Sequence, residues 1–113
     1  KYTQEGIEYF RAQRNLMGWE SFYATLSLGT PTYCLATLPY SEVGGLQNLD
    51  NTPCDPGQHP DPNGIYQRGA VVTFVNVSGQ PTVNVVVATT WTDGDRLAES
   101  RATIQFQQSS TTP

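Results

Sequence analysis

The chain has 113 residues, which is enough for one domain with a single hydrophobic core of modest size. Its formal net charge is -4 and Lys1 is its only lysine. The clustered positive charge of a nucleic-acid or anionic-membrane surface is therefore excluded, and no nucleic-acid partner is predicted. Charged residues make up 14% of the chain, which is more typical of an extracellular surface than of a cytosolic enzyme.

The first predicted element is an amphipathic helix over residues 1–17. On a wheel of about 100° per residue, its apolar side chains fall within a stripe of roughly 120°. The stripe consists of Tyr2, Gly6, Tyr9, Phe10, Leu16 and Met17, and the opposite face consists of Lys1, Gln4, Glu5, Glu8, Arg11 and Asn15. Ile7 projects on the polar side, where it is either an ordinary exposed aliphatic residue or a contact to a neighbouring subunit.

The two ends of this helix differ. Gly18 is predicted to end it, in the position that a C-terminal glycine normally takes. The front has no N-cap residue, and the chain has neither an initiator Met nor a signal peptide. We therefore expect a processed or cut-down chain in which the helix continues upstream of Lys1.

Residues 18–65 are predicted to contain short elements and loop. Two β-prone runs, 22–28 and 32–38, are separated by Gly29-Thr30-Pro31, which favours a small hairpin or an extended excursion. The stretch 39–63 is irregular, and loops of this length are usually functional or held by a covalent link.

A disulfide is the predicted link. Cys34 and Cys54 are the only cysteines, one at the end of a predicted strand and the other within the irregular loop. Their pairing would anchor the loop to the sheet and stabilise the domain by about 3 kcal/mol in the chain-entropy model. The alternative is two free buried thiols. A disulfide would imply an oxidising compartment outside the cytoplasm.

Residues 66–107 are predicted to form an antiparallel β-meander. Three apolar, β-branched runs span 70–77, 82–91 and 102–106, with turn signals at 78–81 and Asp93-Gly94. Period-two alternation builds one apolar face from Val83, Val85, Val87, Trp91, Ala102, Ile104 and Phe106. Such a meander needs a cover in water, and the N-terminal helix supplies one.

These elements predict an α+β fold. An N-terminal amphipathic helix packs on a mainly antiparallel sheet, and a disulfide ties a long irregular loop. The chain is one domain, 1–113, which divides into the helix at 1–17, the loop region at 18–65, the meander at 66–107 and a flexible tail at 108–113.

Catalytic and metal chemistry finds little support in the sequence. His59 is the only histidine, and it lies in a proline-bounded loop with nothing to hold an imidazole rigidly, so a catalytic relay is disfavoured. Two cysteines and one histidine are too few for a zinc site. Oxygen ligands for calcium are available in Asp50, Asp55, Asp61 and Asn63, but the favoured interpretation is that these residues form turns. No catalytic, cofactor-binding or metal-binding residue is predicted.

Four stretches, one near the start of the chain and three in its second half, resemble a known family. Residues 4–15 read QEGIEYFRAQRN, residues 66–69 read YQRG, residues 83–91 read VNVVVATTW and residues 101–104 read RATI. The first stretch resembles the exposed half of the long helix of type IV pilins and pseudopilins. The others resemble the β-meander of minor pilins of the type IV pilus, with Arg68, Trp91 and Thr103 at a similar spacing.

The chain also departs from the family pattern. The family's hydrophobic N-terminal half, its processing site and its acidic residue near the mature N-terminus are missing, and Glu5 is not that acidic residue. Cys34 and Cys54 link the middle of the chain, whereas pilin disulfides often link the C-terminal region.

The resemblance implies a pilin-like fold and a non-enzymatic structural subunit of an extracellular filament that serves surface adhesion or motility. Its partners would be other pilin subunits and a host or surface ligand. The missing N-terminal helix would anchor the precursor in the cytoplasmic membrane and later pack in the filament core. We expect Ile7, Arg11 and Arg14 at the subunit interface, no cofactor, and a monomer for the isolated domain.

Two other functions remain open. A secreted or tip-located β-rich binding module would use an exposed aromatic cleft formed by Trp19, Tyr33, Tyr40 and Tyr66, although core or turn packing is the favoured interpretation of these residues. A pseudopilin of a type II secretion system would share the fold. A small hydrolase is disfavoured, because the sequence shows no nucleophile elbow and no converging acidic pair.

Overall fold

The computed structural model describes residues 1–40 and 45–108. The elements in chain order are α1 (Tyr2–Met17), α2 (Trp19–Ser27), β1 (Thr32–Cys34), a 3₁₀ turn (Leu46–Asn48), β2 (Gln67–Val77), β3 (Gln80–Asp93) and β4 (Arg96–Gln107). The four strands form one antiparallel sheet in sequence order. The predicted α+β fold, with a helix on an antiparallel sheet, is confirmed. Residues 41–44 of the predicted loop and 109–113 of the predicted tail lie outside the described residues.

The β2–β3 hairpin has a two-residue turn. Val77 pairs with Gln80, and the intervening Ser78 and Gly79 have φ of 53° and 81°. Positive φ at both central positions is the requirement of a type I′ turn, which matches the twist of the flanking strands. Pro81 therefore lies inside β3 and outside the turn, which is shorter than the predicted 78–81.

The β3–β4 hairpin is also tight. Asp93 pairs with Arg96, so Gly94 and Asp95 form the turn, one residue later than the predicted Asp93-Gly94. Gly94 has φ of 66°, a left-handed conformation that favours glycine. The three long strands of the predicted meander are thus present, and each extends beyond its predicted bounds.

The prediction of a strand at 22–28 is wrong, because residues 22–27 belong to α2 and Leu28 is its C-cap. Phe22 and Leu26 are fully buried, and their spacing of four places them on one side of a helix. The alternation of Phe22, Ala24, Leu26 and Leu28 fits a strand equally well, so a run this short does not distinguish the two. The Phe22 ring packs edge-on against Phe106 at 5.0 Å, and this contact favours the helix.

The core lies between α1 and the apolar face of the sheet. Val83, Val85 and Val87 are completely buried, with Ile104 and Phe106 beside them, as predicted. From α1 the buried residues are Thr3, Gly6, Ile7, Tyr9, Phe10 and Gln13. This face is rotated by about 40° on the wheel from the predicted stripe.

The rotation corrects two predictions. Ile7 is only 4% exposed, so it belongs to the core and not to the polar side, whereas Leu16 is 55% exposed. Two polar residues of α1 are also buried, and both find partners inside. Thr3 Oγ1 lies 2.8 Å from Thr89 Oγ1, and Gln13 Oε1 accepts a hydrogen bond from the Leu46 N–H at 3.1 Å. A buried polar group that is hydrogen-bonded carries little penalty.

Gly6 allows α1 to approach the sheet closely. A Cβ atom at this position would lie 2.8 Å from Val87 Cγ1 and 3.3 Å from Leu35 Cδ1. A larger residue at this position therefore requires a movement of the helix or of the Val87 and Leu35 side chains.

Gly6→Val should lower the free energy of unfolding by about 2 kcal/mol, because overpacking at the contact exceeds the gain in helix propensity. Chemical denaturation followed by circular dichroism measures this change. Ala12→Val, on the exposed side of the same helix, is the matched control and should cost less than about 1 kcal/mol. Equal losses in the two variants would contradict a close approach at Gly6.

Candidate functional site

The exposed side of α1, called here the outer helix face, is the main candidate surface. It consists of Gln4, Glu8, Arg11, Ala12 and Asn15. Arg11 Nη1 donates to Glu8 Oε2 at 2.7 Å, and Gln4 Nε2 donates to the same oxygen at 3.0 Å. An exposed ion pair of this kind contributes little to stability. Its charges are therefore available to form pairs with another molecule.

The three residues predicted at a subunit interface have different environments. Arg11 lies on the outer helix face, and its Nε atom has no hydrogen-bond partner within the described part of the chain. Arg14 Nη2 donates to the Gln107 carbonyl at 3.0 Å, so it ties α1 to the end of β4. Ile7 is buried in the core and therefore has no surface to offer a neighbouring chain. The interface role of Arg11 and Arg14 stays a prediction.

Arg68 lies at the junction of three parts of the chain. It is only 2% exposed, and its Nε donates to the Leu35 carbonyl at 2.8 Å. Its Nη1 donates to the Tyr2 carbonyl at 3.1 Å and to Glu5 Oε1 at 2.6 Å. This guanidinium joins the start of α1, strand β2 and the segment after β1. Sequence reasoning used Arg68 only for the family resemblance, and its burial had no local signal.

Arg68→Met should lower the free energy of unfolding by about 3 kcal/mol, because it leaves the buried Leu35 carbonyl without a donor and removes the charge partner of Glu5. Glu5→Gln is the matched control. Glu5 is half-exposed and can be rehydrated, so this variant should lose about 1 kcal/mol or less. Urea denaturation of both variants measures the difference, and equal losses would contradict a dominant role for the buried carbonyl contacts.

The predicted disulfide between Cys34 and Cys54 is confirmed, with Cα atoms 4.8 Å apart. Cys34 is the last residue of β1, and its N–H donates to the Asp50 carbonyl at 2.9 Å. The disulfide and this hydrogen bond attach the loop, at Cys54 and Asp50, to the edge strand β1.

Two acidic residues of the irregular loop accept hydrogen bonds from other residues of the same region. Asp61 accepts hydrogen bonds from the N–H groups of Ile65 and Tyr66, both at 2.9 Å. Asp50 accepts from the Thr52 hydroxyl at 2.6 Å. Among residues 1–40 and 45–108, no group of three or more His, Cys, Asp or Glu side chains is placed to hold a metal ion.

The Asp61 carboxyl should make the stability of the domain depend on pH. Its burial alone would raise the pKa of the carboxyl, but the backbone donors and nearby His59 lower the pKa below the ordinary 3.8. A lowered folded-state pKa stabilises the domain above the unfolded-state pKa, and this contribution is lost as pH falls through the folded-state value.

Asp61→Asn should therefore have a lower Tm at neutral pH and a smaller fall in Tm between about pH 6 and about pH 3. Thermal unfolding at a series of pH values measures both effects. Asp95→Asn, in the exposed β3–β4 turn, is the matched control and should keep the wild-type pH profile. A wild-type profile in Asp61→Asn would rule out this contribution.

His59 is held more firmly than predicted. Its Nδ1 lies 2.8 Å from the Tyr66 carbonyl oxygen, and since a carbonyl only accepts, Nδ1 carries the proton. A Cβ atom added at Gly64 would lie 3.3 Å from the imidazole ring, so the ring packs on the backbone there. The prediction that nothing orients this imidazole is wrong, because the turn that Asp61 closes brings Tyr66 to it.

The aromatic residues suggested for a binding cleft have separate partners. Trp19 contacts Tyr23 at 5.2 Å, and Tyr40 contacts Tyr9 at 5.2 Å. Tyr33 is buried. Tyr66 contacts both Tyr2, at 5.1 Å, and Trp91, at 5.6 Å, near the start of α1. The four predicted residues are therefore divided among different contacts, and the Tyr2–Tyr66–Trp91 cluster was not foreseen.

No family model, no curated protein and no solved structure matches the chain. Across the described residues, no helix is both long and apolar enough to cross a membrane.

Proposed function

We propose that this domain is a structural subunit of an extracellular bacterial filament, in particular a minor pilin of a type IV pilus that serves adhesion or motility. The observation that carries the proposal is the arrangement of α1. Its buried side seals one face of an antiparallel sheet, while its outer helix face carries charges whose present pairing is weak. The sequence resemblance at residues 4–15 falls on this same helix.

Assembly in this proposal is a matter of surface contacts and not of catalysis. A helical filament uses heterologous contacts, in which one surface of a subunit meets a different surface of the next. Glu8 and Arg11 present opposite charges one helical turn apart, so the outer helix face can pair with a partner surface of alternating charge. The proposal assigns no enzymatic activity and no cofactor to the domain.

The proposal also includes a membrane-embedded precursor. An apolar helix of about 20 residues continuing α1 upstream of Lys1 would anchor the precursor in the cytoplasmic membrane and later enter the filament core. Because that segment would supply the main assembly force, the isolated domain is expected to be a monomer of 12.4 kDa. Light scattering tests this expectation, and a stable dimer would count against it.

Arg11→Glu in the full-length protein should reduce its recovery in filaments sheared from the producing cells by about tenfold, since like charges facing each other at an interface cost several kcal/mol. Immunoblots of the sheared and cell-bound fractions measure the ratio. Arg96→Glu, with the same charge change in the β3–β4 hairpin, is the matched control and should assemble normally. Thermal unfolding of both isolated domains checks that each is folded.

Two results would overturn the proposal. One is wild-type protein found only as a free secreted species, and never in sheared filaments. The other is an upstream coding sequence that specifies a secretory signal and a short linker in place of an apolar helix.

A further inference from the structure

The face of the sheet opposite α1, called here the open face, carries a groove. Register places Cys34, Gly69, Ala88 and Arg101 in one row across β1, β2, β3 and β4. Residues in such a row point to the same side of the sheet. The disulfide partner Cys54 forms one wall of the groove, and Arg101 forms the other.

The floor of this groove is low because its central residues are small. Gly69 has no side chain and Ala88 has one methyl group, while Val71 and Val86 extend the apolar floor along the strands. A Cβ atom at Gly69 would meet only the Tyr33 carbonyl, at 3.3 Å. The cavity has a volume of about 490 Å³, which is within the range of small-molecule sites.

Arg101 places a positive charge on the rim of the groove, and its partner, Glu99, can be replaced by another carboxylate. Arg101 Nε donates to Glu99 Oε1 at 3.1 Å, and Arg101 Nη2 donates to Glu99 Oε2 at 3.2 Å. The two side chains are 60% and 41% exposed, so this pair is only weakly stabilising. Arg68 also contributes to the lining from β2, but its guanidinium lies on the α1 side of the sheet, where it is paired with Glu5. No carboxylate is among the lining residues within the described part of the chain.

We propose that the groove binds a small organic acid with an apolar body. The ligand carboxylate replaces that of Glu99 on the Arg101 guanidinium, which presents a planar fork suited to a carboxylate. The apolar body lies over Gly69 and Ala88, where burial removes it from water. The site is on the open face and does not depend on the proposed filament function.

The test is a titration of the isotopically labelled domain with 3-phenylpropanoate, followed by nuclear magnetic resonance. The acid should shift the backbone amide signals of Gly69 and Ala88 in a saturable manner. The uncharged 3-phenylpropanamide should bind at least about tenfold more weakly, because it lacks the charge-assisted hydrogen bonds. Equal binding of the two probes, or signals that move only elsewhere, would overturn the proposal.

Charge variants test the two rim residues separately: Arg101 as the group that binds the ligand carboxylate, and Glu99 as the carboxylate that competes with it. Arg101→Gln should weaken binding of the acid by about tenfold. Glu99→Gln should strengthen it by about two- to fivefold, because the internal competitor for the guanidinium is removed. Arg96→Gln, an exposed arginine outside the groove, is the matched control and should bind normally. Weaker binding in Glu99→Gln would refute the exchange of carboxylates.

Shape variants test the floor. Ala88→Leu should fill the groove and abolish the shifts, whereas Thr73→Leu, on the open face outside the groove, should preserve binding. Thermal unfolding checks that each variant is folded, and if Ala88→Leu is not, the Arg101 and Glu99 variants decide alone.

Binding of a peptide that ends in phenylalanine, without binding of the free acid, would overturn a small-acid site. If the groove does not bind the acid, incorporation of the protein into filaments is unaffected, so the two proposals are tested separately.

Discussion

The contact between α1 and the inner face of the sheet is the constraint on which the rest of the structure depends. Ile7 and Phe10 on the helix belong to the same buried cluster as Val85 and Val87 on β3, and Gly6 sets how closely the two layers approach. At the start of the helix, Arg68 supplies three hydrogen bonds that join α1, β2 and the segment after β1. Non-directional apolar burial holds the layers together, while the directional bonds of Arg68 specify how they are aligned.

This packing leaves two surfaces with different properties. The outer helix face is polar and carries Glu8 and Arg11 in a weak pair, which suits contact between subunits. The open face of the sheet has an apolar floor beside Arg101, which suits a small ligand. Because the whole sheet separates them, a ligand in the groove and a neighbour on the helix could be bound at the same time. The disulfide connects the irregular loop to this arrangement by forming one wall of the groove.

Sequence patterns predicted the elements better than they predicted the surfaces. The three long strands follow from period-two alternation, and the Cys34–Cys54 disulfide follows from there being only two cysteines. The helix wheel failed at Ile7, and it left out Thr3 and Gln13, each of which has a buried partner on another element. Arg11 lies on the polar side of α1, as predicted, with its side chain 27% exposed. The groove was not foreseen, since Gly69, Ala88 and Arg101 are far apart in the chain and meet only through strand register.

By itself, the sequence determined the secondary structure where local physics is decisive. These features are the amphipathic helix that ends at Gly18, the alternating strands and the tight turns at Gly79 and Gly94, all of which depend on neighbours within a few residues. Only the tertiary structure decided which side of α1 is buried, that 22–27 is helical, and that Arg68 is enclosed. Each of these outcomes depends on a partner far away in the sequence, and such a partner contributes free energy only after the layers have packed.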